Sequence, residues 1–313
     1  VGSGLASLAA ACFLVRDGQM PGSHIHILEA MDIAGGACDG IFDPARGYVM
    51  RGGREMENHF ECLWDLFRSI PSLEVPGASV LDEYYWLNKE DPNFSLCRST
   101  KARGVDAGTN GKFNLSDKAS MEIMKLFFTP NEELYGKKIS DYFDDEVFNS
   151  NFWMYWRTMF AFENWHSALE MKLYIRRYIH HIGGLPDFSA LRFTRYNQYE
   201  SMILPMIKYL EGFGVQFHYN AKVENVDFKI GGGMGPVRQH TGTGQDTILK
   251  KQAESGVFVR NPYSSPTKKM ATRIDLTEAD GTARSIDLGE NDLVFITNGG
   301  CVENSSMGSQ TEP

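Results

Sequence analysis

The sequence predicts an α/β fold that opens with a dinucleotide-binding unit and is interrupted by a mainly helical insertion. Three observations predict it. The chain starts with Val1-Gly2-Ser3-Gly4-Leu5-Ala6-Ser7, followed by apolar Leu8 to Val15 and then Ile25-His26-Ile27-Leu28-Glu29. That order reads as strand end, glycine turn, helix, second strand and terminal acid. Residues 131–182 are dense in aromatics at helical spacings, and from Tyr199 onward helical and strand patterns alternate again.

Each part of the opening has a job in that reading. Gly2 permits the tight turn, and Gly4 lets the backbone approach a pyrophosphate. The helix N-terminus beyond it offers free N–H groups and the positive end of the helix dipole. Glu29 stands where a carboxylate would bind ribose hydroxyls. Ser7, also small, replaces the usual third glycine. The bland alternative is a glycine turn in an ordinary α/β protein.

The remaining elements follow in order. Gly35-Gly36 lies in a loop, and Tyr48-Val49-Met50 leads into Arg51-Gly52-Gly53-Arg54. Met56, Phe60, Leu63, Trp64 and Phe67 recur at helical spacing, which predicts a helix over 55–69 ending before Pro71. Val80 to Leu87 reads as a strand, and 100–112 as a glycine-rich loop. Ser116 is a plausible cap for the next helix. The aromatic run stops at Gly183-Gly184 before Pro186.

Residues 201–213 read as a helix, and Val215 to Tyr219 and Val223 to Phe228 as strands. Residues 229–262 are glycine-rich, polar and weakly patterned, and read as a flexible insertion. Strands are predicted at 272–276, 285–288 and 293–297, with a hairpin turn at Asp280-Gly281. The expected organisation is 1–60 as the first part of a nucleotide domain, 61–198 as an inserted substrate region, and 199–313 as its return strands.

Composition narrows the class. Net charge is −9, which disfavours a nucleic-acid partner. Hydrophobic content of 42% and aromatic content of 12% fit a globular enzyme, and no window approaches a membrane span. The five cysteines are widely spread with no Cys-x-x-Cys pair, so reduced thiols in a cytoplasmic setting are expected. His59 and Cys62 lie three apart without further ligands, so no metal site is expected. The chain begins inside a strand without an initiator methionine and reads as a fragment of a longer protein.

The acid Glu29 followed six residues later by Gly35-Gly36 resembles amine-oxidase-like flavoproteins, whose similar glycines lie along FAD. This resemblance implies an FAD-binding Rossmann-like fold of the two-dinucleotide-binding type. A closer resemblance rests on three stretches. The first is Gly47-Tyr48-Val49-Met50-Arg51-Gly52-Gly53-Arg54-Glu55-Met56-Glu57-Asn58-His59-Phe60. The second runs from Trp165-His166-Ser167 through Tyr174 and His180-His181-Ile182-Gly183-Gly184 to Tyr199. The third is Leu293-Val294-Phe295-Ile296-Thr297-Asn298-Gly299. These resemble the oleate hydratase family, also called myosin-cross-reactive antigens, over nearly all of 1–228 and 268–306. The 229–262 insertion departs from the expected pattern.

The resemblance implies a hydro-lyase that adds water to the cis-9 double bond of oleate, linoleate and similar free fatty acids, giving 10-hydroxy products. FAD would be bound through Gly2, Gly4, Ser7, Glu29, Gly35, Gly36, Arg51, Gly52, Gly53, Val223, Asn298 and Gly299, although the net reaction is not redox. Family members are about twice as long, and the missing half would hold part of the fatty-acid site. A homodimer with peripheral membrane contact is the expected assembly.

Hydrating an isolated alkene needs a proton on one carbon and water at the other, through a carbocation-like transition state. By resemblance Glu55 activates the water; on residues alone it could equally favour a helix N-terminus. By resemblance Tyr174 donates the proton, with Tyr178 as the rival one turn away and core packing as the alternative for either ring. Arg51, Arg54 and Met56 are expected to shape the flavin-side wall, with structural ion pairs the alternative for the arginines. His180 and His181 are expected to hydrogen-bond locally at a helix end. Two competing functions are an FAD-dependent oxidoreductase of the amine-oxidase or desaturase type and a truncated, non-catalytic flavin- or fatty-acid-binding relative.

Overall fold

The structure is a computed structural model that describes residues 1–45, 47–50, 55–231, 268–297 and 311. The chain divides into two compact units. One comprises Val1–Asp39 with Met206–Pro313, and the other Gly40–Pro205.

The elements in chain order are α1 (Leu5–Arg16), β1 (His26–Leu28), β2 (Gly40–Asp43), β3 (Gly47–Met50), α2 (Glu61–Phe67), α3 (Val80–Glu90), β4 (Thr100–Lys101), β5 (Val105–Asp106) and α4 (Asp117–Phe128). They continue with α5 (Asp145–Phe148), α6 (Asn151–Phe160), α7 (Ala168–Tyr178), α8 (Leu204–Gly212), β6 (Gln216–His218), β7 (Lys222–Gly231), β8 (Lys268–Thr277) and β9 (Ala283–Asp287).

In the first unit, α1 is alanine-rich and buries Leu8, Ala11, Cys12 and Val15, one stripe at helical spacing. It ends at Asp17, beyond Arg16, a cation that suits the negative end of the helix. β1 pairs in parallel with β6, with His26 opposite Gln216 and Leu28 opposite His218. The extended segments beside them join this edge-to-edge arrangement. Gly2 N–H donates to Leu28 O at 2.8 Å, Glu29 N–H to His218 O at 2.9 Å and Thr297 N–H to Val1 O at 3.1 Å. The strand expected at 293–297 is therefore an extended segment tied to the chain start rather than a regular ladder. β7, β8 and β9 form an antiparallel sheet that packs Ile274 and Leu276 with Leu28 and Ala221. The predicted turn at Asp280-Gly281 joins β8 to β9, with Gly281 at φ +83°. β7 continues through residues 229–231, which the sequence reading had placed in a flexible insertion; the rest of that insertion lies outside the described residues.

The second unit is built on helices. α4 is capped by Ser116, whose hydroxyl accepts from Ala119 N–H at 3.1 Å, as expected. Ser150 and Ser167 cap α6 and α7 in the same way. These helices bury Leu126, Phe152, Trp153, Trp156, Met171 and Ile175 in one apolar cluster. At roughly 2–3 kcal/mol for each large side chain removed from water, this cluster dominates the unit's stability. The aromatic run is not one long helix: it divides into helices and 3₁₀ turns, and α6 stops at Ala161 in the left-handed conformation.

Two expected elements are corrected. Residues 80–87 form a helix, not a strand. Ser79 and Asp82 make a reciprocal capping box, with Asp82 N–H donating to Ser79 Oγ at 3.2 Å and Ser79 N–H to Asp82 Oδ2 at 2.8 Å. That local signal outweighs the β-propensity of the Val, Tyr and Trp side chains. The helix expected over 55–69 begins only at Glu61. Met56 is engaged in an antiparallel bridge with Arg192, its N–H and C=O both bonded at 2.8 Å, and this holds the backbone before Phe60 out of helical form.

Candidate active site

In the first unit, the glycine turn separates two kinds of glycine. Gly2 has φ +82°, and a Cβ there would lie 2.8 Å from Thr297 O, so the fold itself requires glycine. Gly4 is different. It sits at the N-cap of α1 with φ −69°, and a Cβ would meet nothing closer than Gly36 Cα at 3.8 Å. Nothing in the described protein forbids a side chain at Gly4. Gly35 and Gly36 close over this turn, with Gly35 N–H donating to Ser3 O at 2.9 Å. Both have positive φ, +122° and +55°, and a Cβ on Gly36 would press on Gly4 Cα at 3.1 Å.

The start of α1 has no side-chain cap and no acid in its first turn. Its orphan N–H groups are thus available to an anion. Ser7 is buried on the helix's inner face, where a small residue packs. Glu29 is buried; Oε2 accepts from Ser3 N–H at 2.9 Å and Ser3 Oγ–H at 2.5 Å, and Oε1 accepts from Met31 N–H at 2.9 Å. Each oxygen offers about two acceptor sites, so Oε1 keeps one for an incoming hydroxyl. Space at Gly4, uncapped helix donors and an oriented carboxylate form a donor set that fits a dinucleotide's pyrophosphate and ribose. Val223 is half-buried on β7 opposite Leu276. Arg51, Gly52, Gly53, Arg54, Asn298 and Gly299 lie outside the described residues.

In the second unit, Glu55 is exposed in an irregular segment, six residues before α2. The helix-start explanation for its carboxylate therefore has no basis. Among the described residues it makes no hydrogen bond or ion pair. Met56 is buried. Tyr174 lies on α7, 43% exposed, with its ring edge-on to Phe160 and Phe162 at centroid distances of 5.7 and 5.1 Å. Tyr178, one turn on, is only 7% exposed, and its hydroxyl is buried with no hydrogen-bond partner among the described residues. Burial first, then the charges of Glu57 and Glu55, push its pKa up to about 12, so it stays a neutral phenol.

The residue that sequence reasoning missed is Glu57. It is 4% exposed and accepts from an Arg177 guanidinium N–H and, at 2.6 Å, from His59 N–H. His181 Nε2 lies 3.1 Å from Oε2, the oxygen that accepts from His59 N–H, an ion-pair distance without hydrogen-bond alignment. Burial keeps His181 below the usual histidine pKa in spite of the Glu57 carboxylate beside it, while Arg177 brings a full positive charge to Glu57. His181 was expected to hydrogen-bond locally at a helix end; instead its Nε2 makes no hydrogen bond among the described residues and faces the Glu57 carboxylate. His180 stacks on His59 at 4.5 Å. Tyr174, Arg177, Tyr178 and His181 follow helical i, i+3, i+4, i+7 spacing, which was the available signal.

The family model described as "MCRA family" matches residues 1–261 and 250–313. An oleate hydratase of Streptococcus pyogenes serotype M49 (strain NZ131) is 47% identical over 312 residues, covering 100% of this chain and 47% of that protein. A linoleate hydratase of Lactiplantibacillus plantarum is 28% identical over 334 residues, covering 100% of this chain and 53% of its own length. The chain spans about half the length of the curated relatives it matches, and on the family-model match along its whole length it belongs to the MCRA family.

Proposed function

We propose that the whole protein is an FAD-containing fatty acid hydratase that adds water across the cis-9 double bond of oleate and related acids to give 10-hydroxy fatty acids. The observation that carries this is the 47% identity, along the entire chain, to a protein named oleate hydratase. The site chemistry supports it. A carboxylate without a partner among the described residues, Glu55, stands two residues before Glu57, which is bound to the helix that presents a phenol, Tyr174.

In the step proposed, Glu55 accepts a proton from water as the water oxygen bonds to C10. The Tyr174 hydroxyl gives its proton to C9, and the proton on Glu55 returns to the phenolate through solvent. One water is added and no electrons are transferred. The negative charge of Glu55 also stabilises the cationic character that develops on C10. FAD would be held by the Gly4 turn, the α1 N-terminus and Glu29 in a Rossmann-like domain. When bound it supplies binding and electrostatics, since hydration has no net redox change.

The competing reading is a flavin oxidoreductase of the amine-oxidase or desaturase type. Incubating the FAD-loaded whole protein with oleate decides between them. A product heavier by one water, without consumption of oxygen or an electron acceptor, supports hydration. A product lighter by two hydrogens, or oxygen consumption matching turnover, overturns it. Among the described residues, no helix is long and apolar enough to cross a membrane. Peripheral membrane contact, a homodimer and a cytoplasmic location remain part of the proposal.

A further inference from the structure

We infer that Glu57 and Arg177 are positioning residues for hydration: their ion pair fixes the segment carrying Glu55 against the helix that carries Tyr174. This rests on the hydratase reading above.

The geometry divides two nearby carboxylates into different roles. Glu55 is exposed and uncommitted among the described residues, as a group that must handle water needs to be. Glu57 is buried and engaged through both carboxylate oxygens. Its carboxylate takes Arg177 and His59 N–H, and its carbonyl accepts from Trp64 Nε1 at 3.0 Å. Arg177 does more than neutralise it. The same guanidinium donates to His59 O and lies over the Phe60 ring at 5.2 Å. One side chain of α7 thus grips the segment at residues 57, 59 and 60. The double hydrogen bond between Met56 and Arg192 holds it from the other side.

An ion pair between a buried Glu57 and a half-exposed Arg177 gains little net stability, because solvent screens the arginine while the carboxylate still bears its desolvation cost. What it supplies is a single geometry. Catalytic groups displaced by about 1 Å lose roughly 100-fold in rate. The arrangement therefore sets Glu55 relative to the face of α7 on which Tyr174, Arg177 and Tyr178 are spaced i, i+3, i+4.

The test uses the FAD-loaded whole protein and measures kcat and KM for oleate hydration together with thermal unfolding. Arg177→Met strands a buried carboxylate and can fail to fold, so the double variant Glu57→Gln/Arg177→Met, which removes both charges, is made beside it. The expected result is a folded double variant with kcat down by about 30-fold or more and KM within about threefold, the mark of lost orientation rather than lost binding. Arg177→Lys, which keeps the charge, should exceed Arg177→Met in kcat by at least about fivefold per folded molecule. A double variant with kcat within about threefold of the parent overturns the proposal. So does a loss accounted for by the unfolded fraction, kcat and KM changing together, or lysine no better than methionine. If the parent hydrates oleate and Glu55→Gln is inactive while the double variant runs at full rate, only the positioning claim falls. If the parent does not hydrate oleate, the hydratase reading falls and takes this one with it.

Discussion

Gly4→Ala separates a glycine kept for a ligand from a glycine kept for the fold. At φ −69° an alanine is unstrained, and its methyl meets nothing closer than 3.8 Å. Alanine restricts the unfolded chain, a gain of about 0.4–1 kcal/mol, but is a poorer N-cap than glycine, a loss of roughly 0.5–1.5 kcal/mol. The two nearly cancel, so Tm should move by no more than about 4 °C. The same methyl lies beside the N–H groups that would meet pyrophosphate. Displacing two charge-assisted hydrogen bonds at about 1.5–3 kcal/mol each costs about 3–6 kcal/mol, or roughly 150- to 20,000-fold in affinity. Purified Gly4→Ala whole protein should be folded yet carry less than about a tenth of the parent's flavin by absorbance. Gly2→Ala is the contrast: with φ +82° and a 2.8 Å clash with Thr297 O, it should lose stability outright. Full flavin stoichiometry in a folded Gly4→Ala protein would refute the phosphate-cradle argument.

Three further outcomes follow from the site. Tyr174→Phe should cut turnover by about 100-fold or more with little change in Tm, while Tyr178→Phe should stay near parental turnover and gain up to about 1 kcal/mol, because it removes a buried hydroxyl that has no partner among the described residues; an active Tyr174→Phe beside a dead Tyr178→Phe would show that the wrong tyrosine is assigned. His181 is held below its ordinary 6.5 by burial, so the unfolded state binds more protons than the folded one in that range. Stability is therefore complete above 6.5 and is lost as pH falls through the folded value; chemical denaturation at pH 7 and 5 should show the drop, and His181→Gln should shrink it. Burial pushes the Cys12 thiol up to about 12, whereas Cys62 is exposed. Mass mapping after brief alkylation of native protein should find Cys62 modified well before Cys12.

How much of this was legible depended on how local each signal is. The glycine turn, α1, β1 and Glu29 are contiguous and specify one another, so they could be read directly. Ser116 announces α4 because an N-cap acts within three residues. Val80 to Leu87 carries bulky β-formers that favour a strand, yet the Ser79–Asp82 capping box decides for the helix. The late start of α2 was invisible for a different reason: its cause is a bridge from Met56 to Arg192 across the chain. Glu57, Arg177 and His181 share that limitation. Their contact spans 120 residues, and only the fold brings it about.

The central claim is that Glu55 activates water for addition to an alkene. The direct measurement is turnover of oleate in ¹⁸O-water by the FAD-loaded whole protein and its Glu55→Gln variant, followed by mass spectrometry. The account predicts one ¹⁸O in the parent's hydroxy fatty acid, and a folded, flavin-retaining Glu55→Gln variant slower by about 100- to 10,000-fold. A Glu55→Gln rate within about threefold of the parent, or a product lacking the label, would contradict it.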